Sequence, residues 1–371
     1  MSSAERQGEG ATAANDFRAM IARAEALVCD VIVSTSPEGG DRHEHAASPA
    51  AAVRVAVERS QQGRRAAVLL APNELFEALG AVHAAARARA PIVVHVVGSA
   101  PSSAGRDELA PALDLGAGVL TAWSAQDSVD LAFAARRAAE DSETPWILVS
   151  GGAPAETLLP EAALLAKFLG GARPVGQARR APGEAADHLA DKRAERVYTS
   201  RAPFALSSAL RELGELTGRP LPAVERYEAA DAEEVIVAVG EAFVAARAVA
   251  AAMRHEKKKV GAVGIRSLRP FFASEAVKSM ARARAIAVIE HLDVALAPAG
   301  PLAVSLKAAF ADALTWAAGF PGVGKIPPVV SAVLATLEGG VSERQVREVL
   351  DELGAGDRAR RVMIFGSDFQ G

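Results

Sequence analysis

What most constrains this chain is the alternation of short β-branched runs with alanine-rich stretches of helical period. DVIVS (30–34), AAVLLA (66–71), PIVVHVV (91–97), AGVLTA (117–122) and WILVS (146–150) are nearly continuous apolar runs. Such runs suit parallel strands buried on both faces. Between them, PAAAVRVAVERSQQG (49–63), ELFEALGAVHAAARAR (74–89) and SVDLAFAARRAAED (128–141) each carry an apolar stripe at helical spacing with charges opposite. The pattern predicts one α/β sheet with helices over its faces.

The character of the chain changes at 170–200, where glycine, proline and charge leave little that forms a core strand. A helix over PFALSSALRELGELTG (203–218) then leads to further strands at EEVIVAVG (233–240), KVGAVGIRSL (259–268) and AIAVIEHL (285–292). The helix EAFVAARAVAAAMRHE (241–256) follows the first of them. The expected layout is an α/β domain I over 15–186, a linker and connecting helix over 187–229, and an α/β domain II over 230–371. Both sheets are expected to be mostly parallel. A last amphipathic helix, 342–355, is expected to be capped by Ser342 and to stop at Gly354. The tail RRVMIFGSDFQG is apolar enough that it is expected to dock somewhere, another subunit included.

With 371 residues, half of them hydrophobic, the chain has enough apolar surface for more than one core. Its net charge of −4 comes from interspersed acids and bases, so no long field exists to draw nucleic acid or an anionic membrane. No apolar run reaches the roughly 18 residues of a membrane helix, and the start of the sequence lacks an apolar signal core. A cytoplasmic location is expected. Cys29 is the single cysteine, too few thiolates for an iron–sulfur cluster or a cysteine-type zinc site.

General motifs give little. GFPGVGK (319–325) has the glycines and lysine of a phosphate loop, but Ile326 stands where a magnesium-binding hydroxyl belongs, and Pro327 and Pro328 block the following helix. It reads as a plain loop. DRHEH (41–45) brings His43 and His45 near Asp41 and Glu44, yet the segment reads as a solvated polar loop rather than a metal site. Cys29 reads as a small buried side chain, and His83 and His95 as satisfied core or interface histidines. The basic run RHEKKK from Arg254 reads as a solvated helix end.

Taken together, 233–277, with its strand ending in glycine, helix, lysine-rich turn, KVG strand and RPF corner, resembles domain II of the pyruvate and other 2-oxoacid:ferredoxin oxidoreductases. AIAVIEHLDVALAPAGPL (285–302) continues the likeness, and AVHAAARARAPIVVHVV (81–97) extends it into that family's pyrimidine-binding domain I. The resemblance covers roughly residues 17 to 355. It implies a pyrimidine-binding-like first domain and a transketolase C-terminal-like second one, forming an α-type subunit. It also implies thiamine diphosphate with magnesium. Because no G-D-G occurs in this chain, that group would be shared with, and held mainly by, a β-type partner. Iron–sulfur clusters would lie only on partner chains and pass electrons to a ferredoxin-like acceptor.

The same resemblance assigns roles at three places and finds two of them changed. The helix start HAASPAAA (45–52) sets Pro49 where the family has the glutamate that contacts the aminopyrimidine, with Ser48 as helix cap. HVVGSA (95–100) sets Ser99 where the family has an arginine for the substrate carboxylate. TSP (35–37) puts Ser36 at a cofactor-contacting hydroxyl, and Glu44 lies close enough upstream of Pro49 to stand in for the missing acid. Three functions remain open: the α-type subunit walling a thiamine diphosphate site, a non-catalytic structural or regulatory subunit that kept the fold and lost the glutamate and the arginine, or a stand-alone small-ligand-binding α/β protein.

Overall fold

The computed structural model describes residues 17–36, 40–98, 109–150, 155–171, 200–291, 297–335, 341–354 and 362–366. They group into two compact units, one within 1–99, 111–120 and 125–222, the other within 100–110, 121–124 and 223–371.

The first unit runs from helix α1 (17–26) through β1 (Val31–Ser34), β2 (His43–His45), α2 (Pro49–Gln61), β3 (Ala66–Leu70), α3 (Leu75–Arg87) and β4 (Val93–Val97). After a short α4 (Leu109–Ala112) come β5 (Gly118–Thr121), α5 (Ala125–Ser142), β6 (Trp146–Ser150), α6 (Ala162–Leu169) and α7 (Ala202–Thr217). The strand order is β5–β6–β4–β3–β1–β2, and β2, β1, β3, β4 and β6 pair in parallel. β1, β3 and β4 are buried along their whole length, where each large aliphatic side chain contributes roughly 1.5–3 kcal/mol. α2 buries Pro49, Ala52, Val53, Ala56 and Ser60, a stripe at helical spacing that lies on β1 and β3. The helix that the sequence assigns to the connection is α7. It packs along α5, and Arg219 just past its end pairs with Asp130 of α5 at 2.8 and 2.6 Å.

From β1 the chain moves to one side for β2, then crosses back to set β3 on the other side. The crevice outside the carboxyl ends of β1 and β3 is therefore a topological switch point, where open α/β sheets bind ligands.

The second unit contains β7 (Val224–Tyr227), β8 (Glu234–Val239), α8 (Ala242–His255), β9 (Val260–Ile265), β10 (Ser267–Arg269), α9 (Ala273–Met280) and β11 (Ala285–Glu290). α10 (Pro301–Leu314), β12 (Val329–Ala335), α11 (Glu343–Gly354) and β13 (Val362–Gly366) complete it. Its sheet has the order β13–β12–β11–β8–β9–β7, with only β7 antiparallel among these pairs. Phe243 of α8 lies so close to β9 that a Cβ at Gly264 would stand 2.7 Å from its ring, which explains a glycine in mid-strand. α11 starts as expected: Ser342 Oγ accepts from the Gln345 amide at 3.3 Å and Gln345 Oε1 from the Ser342 amide at 2.9 Å.

One expectation is corrected. His43–His45 is not a loop but the edge strand β2, in register with Ile32–Ser34 of β1. Backbone pairing supplies what its polar side chains do not. The apolar tail docks within its own unit, where Val362–Gly366 pairs in parallel with Ser331–Ala335 of β12. Among the described residues no helix is long and apolar enough to cross a membrane.

Candidate functional site

The switch-point crevice of the first unit is edged by hydroxyls and one carboxylate. At the end of β1, buried Ser34 donates from Oγ to the Ser36 carbonyl at 2.8 Å, turning the chain so that Thr35 is half-buried and Ser36 exposed. Across the crevice, a 3₁₀ turn (Pro72–Glu74) joins β3 to α3. Glu74 Oε2 accepts the Ala71 amide at 2.7 Å, and Thr35 Oγ1 donates to Glu74 Oε1. A hydroxyl after β1 and a carboxylate after β3 are thus tied together from 39 residues apart in sequence. Glu74 was not singled out from the sequence, because an acid after a proline reads as ordinary helix-start chemistry. The available signal was an acid in the turn that directly follows a buried strand.

The start of α2 carries no acid. Ser48 is the N-cap, with extended backbone, and its side chain accepts the Ala51 amide at 3.3 Å. Pro49 is buried at the first helical position and has no N–H. Glu44, on β2, turns to α2 instead: Arg59 donates Nε to Oε1 at 3.0 Å and Nη2 to Oε2 at 2.8 Å. Those hydrogen bonds hold the Glu44 carboxyl below its usual range, burial opposing only in part. Of the residues assigned from sequence, Ser36 stands at the end of β1, Ser48 and Pro49 open α2, and Glu44 is locked to Arg59. Ser99 lies outside the described residues.

Beneath β4 lies a second polar group, sealed in the core. His95 Nε2 is 2.6 Å from Glu25 Oε1, Cys29 Sγ donates to Glu25 Oε2 at 2.8 Å, and Arg136 Nη2 reaches Cys29 Sγ at 3.1 Å and Glu25 Oε2 at 3.4 Å. Glu25, His95 and Arg136 are fully buried. Burial alone would raise the Glu25 carboxyl, but Arg136 and His95 bring it down to about 2. Burial pushes the Cys29 thiol well above its usual value, so it is an inert core side chain. His95 is a core histidine as expected, though only its Nε2 is paired and its buried Nδ1 has no hydrogen-bond partner, whereas His83 is exposed on α3 with Nδ1 3.2 Å from the Leu115 carbonyl. Among the described residues no group of three or more histidines, cysteines or acids could hold a metal. The 319–325 segment is a loop, and the Trp316 ring leaves no room for a Cβ at Gly322.

Residues 232–324 match the family described as pyruvate:ferredoxin oxidoreductase core domain II. Over 107 residues the chain is 32% identical to the pyruvate synthase subunit PorA of Methanothermobacter thermautotrophicus, covering 29% of this chain and 28% of that one. In fold the chain is similar to a 2-oxoglutarate:ferredoxin oxidoreductase from Magnetococcus marinus, with a TM-score of 0.57 and 13% identity over 91% of this chain and 64% of the other. A split-gene transketolase β4 tetramer, described as inactive, gives 0.56 and 14% over 93% and 99%. The resemblance to the 2-oxoacid:ferredoxin oxidoreductases and the two-sheet α/β fold are thereby borne out.

The second unit has its own switch point, between β8 and β11, since the chain goes from β8 to β9 on one side and returns to β11 on the other. Glu290, fully buried at the end of β11, fills it. Its Oε2 accepts the Leu302 amide at 2.9 Å and its Oε1 the Ala303 amide at 3.2 Å, at the start of α10. Gly300 leaves space for this carboxylate, which a Cβ there would strike, and its amide donates to Ser331 Oγ at 3.1 Å. Burial raises the Glu290 carboxyl to about 7, against the two amides and Lys307.

Proposed function

We propose that this chain is the α-type subunit of a cytoplasmic 2-oxoacid:ferredoxin oxidoreductase-like complex, forming one wall of a thiamine diphosphate site held mainly by a partner subunit. The observation that carries this reading is the core domain II at 232–324 joined to an α/β unit in one chain. The PorA relative is by name a subunit of pyruvate synthase, and the oxidoreductase of similar fold holds 2-oxoglutarate and coenzyme A. Both support a 2-oxoacid as substrate of the complex. With no G-D-G in this chain, diphosphate and magnesium fall to the β-type partner. With one cysteine, the iron–sulfur clusters that feed a ferredoxin-like acceptor fall to partner chains.

Bound thiamine diphosphate supplies an electron sink for 2-oxoacid cleavage. The start of α2 does not fit the acid that this chemistry calls on: Pro49 has no exchangeable proton and Glu44 is engaged by Arg59. No proton transfer is therefore derived from α2. This same observation favours a second reading, a structural or regulatory subunit that kept fold and interfaces without catalysis.

Isolated from its own cells, the chain is expected to co-purify with a subunit carrying G-D-G…N and cysteine clusters; recovery free of any such subunit overturns the proposal. Supplied with thiamine diphosphate, magnesium, CoA and a panel of 2-oxoacids, the complex should reduce a viologen dye. Turnover of none of them selects the second reading. A gain of turnover in Pro49→Glu would show that the remaining wall is intact.

A further inference from the structure

The switch point of the second unit is closed by a carboxyl group that has no counter-ion among the described residues. Glu290 has no exposed surface, and its two oxygens accept the Leu302 and Ala303 amides at 2.9 and 3.2 Å. A Cβ at Gly300 would strike this carboxylate, which leaves no space on that side for water. Lys307, further along α10, is the charged group that faces it. β8, β12 and α11 also pack on β11, and among the described residues they turn no charged group to Glu290. His291, next along the chain, is the other buried titratable residue there.

A carboxyl group keeps a lone pair on each oxygen with or without its proton, so both forms can hold the two amides. They differ in what burial costs. The neutral form loses little, whereas the anion gives up its water and finds no touching cation in return. We infer that Glu290 is a pH-sensitive latch: protonated, it holds the start of α10 over the crevice between β8 and β11, and ionisation loosens that hold. Burial raises its titration to about 7 when closed, against 4.5 in water, so the closed form binds the proton more tightly than the open one. Opening therefore becomes easier as the pH rises between these values and levels off above them. An open latch bares the first amides of α10 at a place where such sheets take up ligands. The latch belongs to the second unit's own residues and does not depend on the proposed subunit role.

Amide hydrogen exchange in the full chain, corrected for the base-catalysed intrinsic rate, tests it. The opening equilibrium at Leu302 and Ala303 should rise on the order of a hundredfold from pH 4 to pH 8. Amides in the middle of β11, Ile286 to Val288, should stay far better protected throughout, because the opening is local. Glu290→Gln, which does not titrate, should leave the profile flat, and His291→Asn should leave it in place. Where Glu290→Gln does not fold, carboxyl-carbon NMR of the parent serves instead: one glutamate should titrate where the exchange profile levels off. A profile independent of pH, one abolished by His291→Asn, exchange of α10 only together with β11, or no glutamate titrating near neutral would overturn the latch.

Discussion

Two helices begin with proline, α2 at Pro49 and α10 at Pro301, and the two units cap them in different ways. α2 is closed locally, by the hydroxyl of its own preceding residue Ser48. α10 follows Gly300 and is closed from a distance, by the carboxylate of Glu290 on β11. A hydroxyl cap costs no charge and adds none to the crevice beside it. A buried carboxylate cap places an ionisable group inside the second unit. Where the first unit would need an acid at a helix start, it has none, and where the second needs only a helix cap, it uses one. An acid at a helix start can therefore be purely architectural, so its presence or absence does not by itself decide catalysis.

The sharpest way to test this contrast is pH. The folded Glu290 carboxyl titrates near 7, while in the unfolded chain it titrates near 4.5. Between these values the folded protein holds a proton that the unfolded chain has released, so stability falls as pH rises through the window. The Glu290 contribution is complete below about 4.5 and lost above about 7, a change on the order of 3 kcal/mol. Glu290→Gln mimics the protonated acid and should remove that slope from urea unfolding followed between pH 4 and 8. Glu25 supplies the opposite sign: Arg136 and His95 depress its carboxyl, so its contribution is present above about 4.5 and lost as the pH drops toward 2. Glu25→Gln should remove the acid-side loss instead. A Glu290→Gln variant with an unchanged slope would mean that the α10 amides outweigh burial at that position.

The strands were legible because β-branched runs such as VIVS and AAVLL, bounded by helical stretches, suit buried parallel strands. The likeness over 233–277 was legible for a stronger reason: its KVG strand and RPF corner recur in an order that composition does not produce. β2 was not legible, since three residues reading HEH carry no apolar period and owe their conformation to pairing with β1. β13 was missed together with its partner β12, whose apolar run VVSAVLA was not read as a strand, so the short run VMIFG had nothing to pair with. Glu74 and Glu290 were illegible as sites for one shared reason. Their significance lies in what a distant segment brings to them, Thr35 in one case and the start of α10 in the other.

A steric probe tests the α10 cap with a smaller expected effect. Gly300 has an ordinary extended backbone, with φ −62 and ψ 157, so alanine is strained there only by collision with the Glu290 carboxylate. Gly300→Ala should cost about 2 kcal/mol, as overpacking of a filled core does. Combined with Glu290→Ala the two losses should be clearly less than additive, since the second change removes the atoms the first one strikes. Additive losses would place the strain of Gly300→Ala elsewhere than on Glu290.

The smallest effect belongs to the local cap. Ser48→Ala deletes the acceptor for the Ala51 amide and should cost about 1 kcal/mol, the usual size for a lost hydroxyl cap. Because a hydroxyl does not titrate in this range, that loss should be the same from pH 4 to 8, in contrast to the α10 cap. Aspartate in place of Ser48 is the more informative change. It restores a cap and adds a carboxylate beside the positive end of α2, so it should be at least as stable as the parent at neutral pH and lose that advantage on acidification. If Ser48→Asp instead destabilised α2 at neutral pH, repulsion from negative charge already beside the helix start, that of Glu74 included, would outweigh the favourable helix dipole.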